Sequence, residues 1–493
     1  MTFNVGQQKV PAFLRSLLAM TEQAAQPTRG FHAPFTERRL FLLVMDTLCL
    51  LCALLLATYV QEWIAGERPH LETHLLLQPL PILFFVSWWV CAYFTDLYDI
   101  LLSSERSATV FNLLTTVALS TFIWFVAHLI WPDPMMAYYL FSVAAILCPL
   151  LLGVRLLYVQ FHHHLFSSHR FLIVGHEQPG QLIANLLQRS ARLNFKAVGF
   201  VAVNLQTESY PLSADLPVLG TIDDLYSLTA KYQIDEIVVA MQDELTPDIF
   251  QRLVDCQGQG TRISWMADLH EKLGRSVPIQ YIDPTWALCA LQGQAIFSRL
   301  QMAGKRGLDL FFVLLALPLL LPLMLLVALL IRLDSRGPIF YRQVRVGRGG
   351  IPYTICKFRT MVPNAEQKGK AQWAADNDPR ITRVGRLLRK ARLDELPQLY
   401  NILKGEMSLV GPRPERPEFV ALLEKEIPYY RIRLLVKPGL TGWAQIHYDY
   451  ANSVEDTLYK LQYDFYYVRY WSLWLDLYTL FKTVSVVLRM KGT

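Results

Sequence analysis

Four apolar stretches, residues 40–60, 75–94, 110–130 and 135–158, dominate the first third of the chain. Each comes close to the ~20 residues that a helix needs to cross the hydrocarbon of a bilayer. Trp63, Trp88, Trp89, Trp131, Tyr138 and Tyr139 lie near their ends, as interfacial aromatics do. Composition agrees, with 53% hydrophobic residues against 18% charged and a mean hydropathy of +0.26. Orientation follows from Lys and Arg. The N-terminal arm carries Lys9, Arg15, Arg29, Arg38 and Arg39, the second connection has Arg106, and Arg155 and Arg170 flank the end of the fourth stretch. The first connection has only Arg68 and the third has none, so the N-terminus and everything after Tyr158 are expected in the cytoplasm. No signal-peptide h-region opens the chain, and no removed leader is expected. The seven cysteines lack zinc spacing, and Cys49-x-x-Cys52 falls inside an apolar helix as two small packing residues. His162–His164 reads as a polar anchor at the headgroups, because adjacent residues do not share a helix face.

From Arg170 the texture changes to soluble α/β, with strands expected at 170–174, 197–203 and 235–240 and a helix at 181–188. The first turn, Gly175-His-Glu-Gln-Pro-Gly180, approximates the dinucleotide fingerprint but puts Glu177 where the central glycine belongs. A carboxylate there would block and repel a pyrophosphate, so a Rossmann-like domain used for regulation or assembly is expected. Residues 262–300 read as a low-periodicity connector with scattered strand signals. An uncharged run follows at 310–331, with Pro318 and Pro322 inside it, Lys305 and Arg306 before it, and Arg332 and Arg336 after it. Interior prolines kink a helix, and basic flanks at both ends favour the same side of the membrane. The expectation is a re-entrant helix over 308–331.

Beyond it, a hairpin is expected to end at Lys357-Phe-Arg359-Thr-Met, and Arg380, Arg383, Arg386, Arg389 and Arg392 recur at every third position. Most of that row reads as a solvated or headgroup-facing basic surface, although arginines near Asp394 could grip phosphate bidentately. Asp394-Glu-Leu-Pro397 reads as a helix start that runs to Lys404 and stops at Gly405. Free amides there would keep Asp394 ionised and attract an anion. An ionised carboxylate can attack phosphorus, and a second carboxylate beside it could help hold Mg²⁺. Two bare acidic residues are more simply a cap.

Five ordered motifs change that balance: Lys305-Arg306-x-x-Asp309, Lys357-Phe-Arg-Thr-Met361, Leu393-Asp-Glu-Leu-Pro-Gln-Leu399, Lys404-Gly-Glu-Met-Ser-Leu-Val-Gly-Pro-Arg-Pro414 and Lys437-Pro-Gly-Leu-Thr-Gly-Trp-Ala-Gln445. Together they closely resemble the bacterial sugar transferase family, the polyprenyl-phosphate hexose-1-phosphate transferases, over residues 302–493. The resemblance implies Asp394 as nucleophile with Glu395 assisting beside Mg²⁺, both carboxylates serving as metal ligands. It implies a membrane helix broken at Pro322, and phosphate contacts from Arg389 and Arg413, with Lys357 and Arg359 as further candidates. The implied partners are a UDP-sugar, polyprenyl (undecaprenyl) phosphate and membrane lipid, with a homodimer as a candidate assembly and no nucleic acid. The implied setting is the bacterial inner membrane. After Gln445 the chain continues Ile446-His-Tyr-Asp-Tyr-Ala451, where several relatives have a Gly-Arg-Asn segment. That departure leaves the sugar undetermined.

The expected fold class is therefore a membrane protein, α plus α/β. It comprises an arm (1–37), a four-helix membrane bundle (38–160), a Rossmann-like domain (165–265), a connector (266–301) and a mostly helical monotopic phosphoglycosyl transferase domain (302–493). Aromatic-rich helices within 463–488 are expected to lie in the interface or to pack in the core. A membrane-anchored nucleotide-sugar dehydratase or epimerase would need a complete glycine fingerprint and a Tyr-x-x-x-Lys pair. Tyr353 and Lys357 have that spacing but lie outside the Rossmann unit. A non-catalytic scaffold would leave Asp394–Glu395 without a purpose.

Overall fold

The computed structural model describes residues 35–65, 79–99, 103, 105–130, 134–165, 168–175, 178–190, 194–203, 216–241, 245–292, 299–362, 380–448 and 453–488. The apolar stretches form helices α1 (Phe35–Ala65), α2 (Pro79–Phe94), α3 (Arg106–Ile130) and α4 (Pro134–Leu165). Segments Arg39–Val60, Arg106–Val126 and Phe141–Phe161 are long and apolar enough to span a bilayer, whereas the apolar part described for α2, Phe84–Phe94, is shorter. Inside this bundle Asp46 of α1 and Arg155 of α4 form an ion pair with both side chains fully buried. Charged residues at such depth are tolerated when paired.

The soluble α/β unit follows as β1 (His169–Val174), α5 (Gln178–Arg189), β2 (Phe195–Ala202), β3 (Val218–Thr221), α6 (Leu225–Tyr232), β4 (Glu236–Val239), α7 (Pro247–Gly258), β5 (Arg262–Trp265) and α8 (Met266–Gly274). The sheet is parallel in the order β3-β2-β1-β4-β5, the doubly wound arrangement expected. Gly175 has φ +101°, and a Cβ there would lie 2.5 Å from Ala240 O; a Cβ on Gly180 would lie 2.1 Å from Gly175 O. Close packing of turn, strand and helix thus accounts for both glycines without a nucleotide. Glu177 lies outside the described residues. Part of the expected connector belongs to this unit, because Met266, Leu269 and Leu273 of α8 share a core with Phe171 and Ile173 of β1. A second helix, α9 (Pro284–Gln292), follows, so the described part of the segment holds two helices.

The third unit opens with α10 (Arg299–Asp334), a single helix with Pro318 and Pro322 inside it. Segment Leu300–Asp334 is the fourth described helix long and apolar enough to span. Leu315, Leu319, Leu325 and Leu333 are each more than 60% exposed. So large an apolar surface without protein cover belongs in lipid. Next come the antiparallel hairpin β6 (Phe340–Val346) and β7 (Pro352–Phe358), α11 (Arg383–Lys390), a 3₁₀ turn (Leu393–Gln398), α12 (Leu399–Lys404) and β8 (Ser408–Val410). The unit closes with α13 (Pro417–Glu426), β9 (Gly439–Thr441), α14 (Trp443–His447), α15 (Val454–Tyr470) and α16 (Leu473–Leu488). Much of the C-terminal aromatic content is core: Phe465, Tyr467, Trp471 and Tyr478 are all buried.

Buried polar anchors fasten α10 to this unit. Lys305 Nζ reaches Asp476 Oδ2 at 2.7 Å and Val410 O at 3.0 Å, and Asp476 also accepts from Tyr467 Oη at 2.7 Å and Trp471 Nε1 at 3.0 Å. Asp309 accepts from Ser408 Oγ and Leu409 N, both at 2.9 Å, and Arg306 caps the end of α12 through Leu403 O at 2.6 Å. Asp476 is fully buried. Asp476→Ala would strand one cation and two neutral donors, and is expected to destabilise the unit by about 3–5 kcal/mol, read as a lower unfolding midpoint in detergent.

Candidate active site

The site forms where β7, the 3₁₀ turn and the loop after β8 converge. Asn401 of α12 ties the first two together: its Oδ1 accepts from Cys356 N at 3.2 Å and its Nδ2 donates to Thr354 O at 2.7 Å. The loop after β8 is shaped by glycine. A Cβ on Gly439 would lie 2.1 Å from Gly411 N, and one on Gly442 would lie 2.2 Å from Gly411 O. No larger residue allows the ends of the parallel strands β8 and β9 to pack this closely, and the loop that leaves β8 there presents Arg413.

On this frame Glu395, 7% exposed, accepts through Oε1 from Lys357 Nζ at 2.7 Å and from Arg413 Nη2 at 2.8 Å. Burial would push its carboxyl up, but Arg413 and Lys357 overcome that and hold it well below the usual carboxylate range. Asp394 carries no hydrogen bond or ion pair to a described residue. Burial first, and then the Glu395 charge, push its carboxyl up to about 6 against the pull of Lys357, Arg413 and Arg389. One acid is locked as a charged brace while its neighbour stays free and more basic than an ordinary aspartate. Arg389, at the end of α11, has a buried Nη1 with no partner among the described residues. It is a donor available to a phosphate oxygen.

Two expectations change here. Asp394 is not a helix cap: Arg392 takes that position in left-handed backbone (φ 54°), and both acids sit inside the 3₁₀ turn that precedes the six-residue α12. Neighbouring charge and burial, not a long helix dipole, set its ionisation. Arg359 lies past the end of β7, where it donates to Ser335 O at 2.8 Å and Arg336 O at 3.1 Å. It fastens the exit of α10 and is not gathered with Lys357, Arg389, Arg413, Asp394 and Glu395. Pro322 lies within α10. Sequence reasoning assigned no role to Arg433, whose Nη2 holds Arg413 O at 2.7 Å while it pairs with buried Asp464 at 3.1 Å. Nor did it single out Gln398, buried with its Nε2 unpartnered among the described residues.

Among the described residues no three carboxylate, imidazole or thiol groups gather as a protein-only metal site. Magnesium does not require one, since it commonly takes one or two carboxylates, several waters and substrate phosphates. The unengaged Asp394 carboxylate beside Glu395 fits that demand.

Comparison with known proteins bears on this arrangement. The family profile described as "Bacterial sugar transferase" matches residues 300–490, and one described as "CoA-binding domain" matches 93–267. An Aeromonas hydrophila protein named UDP-N-acetylgalactosamine-undecaprenyl-phosphate N-acetylgalactosaminephosphotransferase is 51% identical over 184 residues, 37% of this chain and 43% of that one. A Xanthomonas campestris UDP-glucose:undecaprenyl-phosphate glucose-1-phosphate transferase is 32% identical over 347 residues, 69% of this chain and 72% of that one. The Escherichia coli protein of the same name is 41% identical over 36% of this chain and 39% of its own. The match thus spans less than half the length of the first and third of these relatives.

Proposed function

The chain belongs to the bacterial sugar transferase family, and from that premise we propose that it transfers a sugar 1-phosphate from a UDP-sugar to polyprenyl phosphate, releasing UMP. The observation that carries this reading is the free, basic Asp394 carboxylate beside a Glu395 braced by Lys357 and Arg413. An Asp394 oxygen attacks the phosphorus that bears the sugar, and the bond from that phosphorus to the oxygen of UMP breaks. A sugar-phosphoryl group then sits on Asp394. In the second half a phosphate oxygen of polyprenyl phosphate attacks the same phosphorus, Asp394 leaves as a carboxylate, and a lipid-linked diphosphate sugar results. Neither half needs a net proton. Arg389 and Arg413 offer donors to the donor phosphates, where transition-state charge is stabilised by preorganised cations. Magnesium, held by Asp394 and Glu395, would supply neutralisation of the diphosphate charge.

A lipid acceptor explains the membrane helix beside the site. Arg306, near the start of α10, bonds to Leu403 O and Asp334, at its end, accepts from Val384 N. Both ends of α10 are therefore tied to one soluble unit, which supports a helix that bends at its prolines and returns to the same face. With the basic flanks counted, that face is cytoplasmic, in the inner membrane, where nucleotide sugars are. The chemistry would begin the assembly of a surface polysaccharide on its carrier. The Rossmann-like unit is read as regulatory or architectural, since its glycines are accounted for by packing.

Membranes containing the full chain, Mg²⁺ and polyprenyl phosphate are expected to release UMP from at least one member of a UDP-sugar panel that begins with UDP-N-acetylgalactosamine and UDP-glucose. No release from any member would sink the reading. Because only ionised Asp394 can attack, kcat/KM should fall as pH drops; in the metal-free protein its carboxyl titrates at about 6, and bound Mg²⁺ would move that limb lower. An Asp394 carboxyl that titrates in the ordinary aspartate range in the metal-free protein would argue against this electrostatic account.

A further inference from the structure

Where the membrane bundle, the Rossmann-like unit and the transferase unit meet, one residue reaches all three. Arg275 ends α8 in left-handed backbone, φ 51°. Its guanidinium pairs with Asp99 and lies 3.6 Å from Asp96, both just past the end of α2, and donates to Tyr478 Oη of α16 at 3.2 Å. Tyr478 in turn donates to the Asp96 carboxylate at 2.6 Å, and Lys482 Nζ of α16 lies 2.6 Å from the same group. Two cations thus face two carboxylates around one phenol. The backbone carbonyl of Arg275 accepts from Trp443 Nε1 at 3.0 Å. Trp443 is buried, 2% exposed, and stacks on Tyr466 with centroids 5.5 Å apart.

Trp443 follows Gly442, which abuts Gly411 with no room for a Cβ, and Gly411 N donates to Thr441 O at 2.9 Å. Arg413 lies two residues further on. The chain of contacts therefore runs from the end of a membrane helix, through Arg275 and Trp443, to the loop whose guanidinium braces Glu395. We propose that Arg275 is a positioning residue for the transfer reaction: by fixing the Trp443 indole it holds residues 411–413 so that Arg413 stays on Glu395 and on the donor phosphate. This role rests on the transferase reading above. It makes catalysis depend on the docking of the other two units, although neither contributes a residue to the acid pair.

The test is a double-mutant cycle on full-length protein, read as UMP release against UDP-sugar concentration. Arg275→Ala is expected to lower kcat/KM by roughly tenfold, as small displacements of a catalytic group do, and Arg275→Lys to recover part of the loss. In an Arg413→Lys background the same Arg275→Ala change should cost less than about twofold, because both act through one group. Trp443→Phe removes the indole N–H together with part of the ring and should repeat the same dependence on the Arg413→Lys background, which an unrelated packing loss would not, and this keeps the test decisive if Arg275→Ala does not fold. Wild-type kcat/KM in Arg275→Ala and Trp443→Phe would overturn the role. So would losses that multiply unchanged in the Arg413→Lys background. If wild-type protein released no UMP, the transferase reading itself would fail, and this role with it.

Discussion

Asp394→Asn is expected to reduce UMP release by on the order of 10³-fold or more, because the substitution removes the attacking group while nearly preserving shape. The neutral amide cannot form the acyl phosphate through which both halves of the reaction pass. Its neighbours should stay put, since Glu395 is held by Lys357 and Arg413 rather than by Asp394. Unfolding midpoints of variant and wild type should therefore agree while turnover does not. Steady-state assays on matched membrane preparations check both. A variant that retains even a tenth of wild-type turnover would remove Asp394 from the nucleophile's role.

Glu395→Gln should produce the next largest effect, a loss in kcat of on the order of 10²-fold, together with a displaced pH profile. The Glu395 charge helps raise the Asp394 carboxyl, and Lys357 and Arg413 lower it. Neutralising Glu395 removes the first influence and frees both cations to act on Asp394. Its carboxyl then titrates lower and becomes a weaker nucleophile. The acid limb of the kcat/KM profile should accordingly move below its wild-type position. An acid limb that stays in place, or rises, would mean that Glu395 does not tune Asp394.

Much of this site could be read from the chain because its residues cluster in short motifs. The acid pair, Lys357 and Arg413 lie in such stretches, Arg389 in the arginine row just before the pair, and the structure brings them together. What escaped depended on distant parts of the chain or on local backbone. Arg359 shares a motif with Lys357, but β7 ends at Phe358, so Arg359 serves the exit of α10 instead. A cap at Asp394 was plausible until Arg392 adopted a positive φ, which depends on how α11 packs. The helix α8 was missed despite a readable signal, since Met266, Leu269 and Leu273 have helical spacing before Gly274. Strands β3 and β5 are four residues each at the sheet's edges, too short and too exposed for an alternating pattern to stand out. The Arg275 junction links residues far apart in the chain, and no local pattern announces it.

The central claim is a covalent intermediate on Asp394, and intact-mass and peptide mass spectrometry test it most directly. Purified protein is mixed with Mg²⁺ and its UDP-sugar, without polyprenyl phosphate, and quenched in acid. The account predicts one UMP released per active chain and one sugar-phosphoryl group on the peptide that contains Asp394, discharged when polyprenyl phosphate is added. UMP formed only when the lipid is present, with no adduct on the protein, would contradict it and point to direct transfer between donor and acceptor.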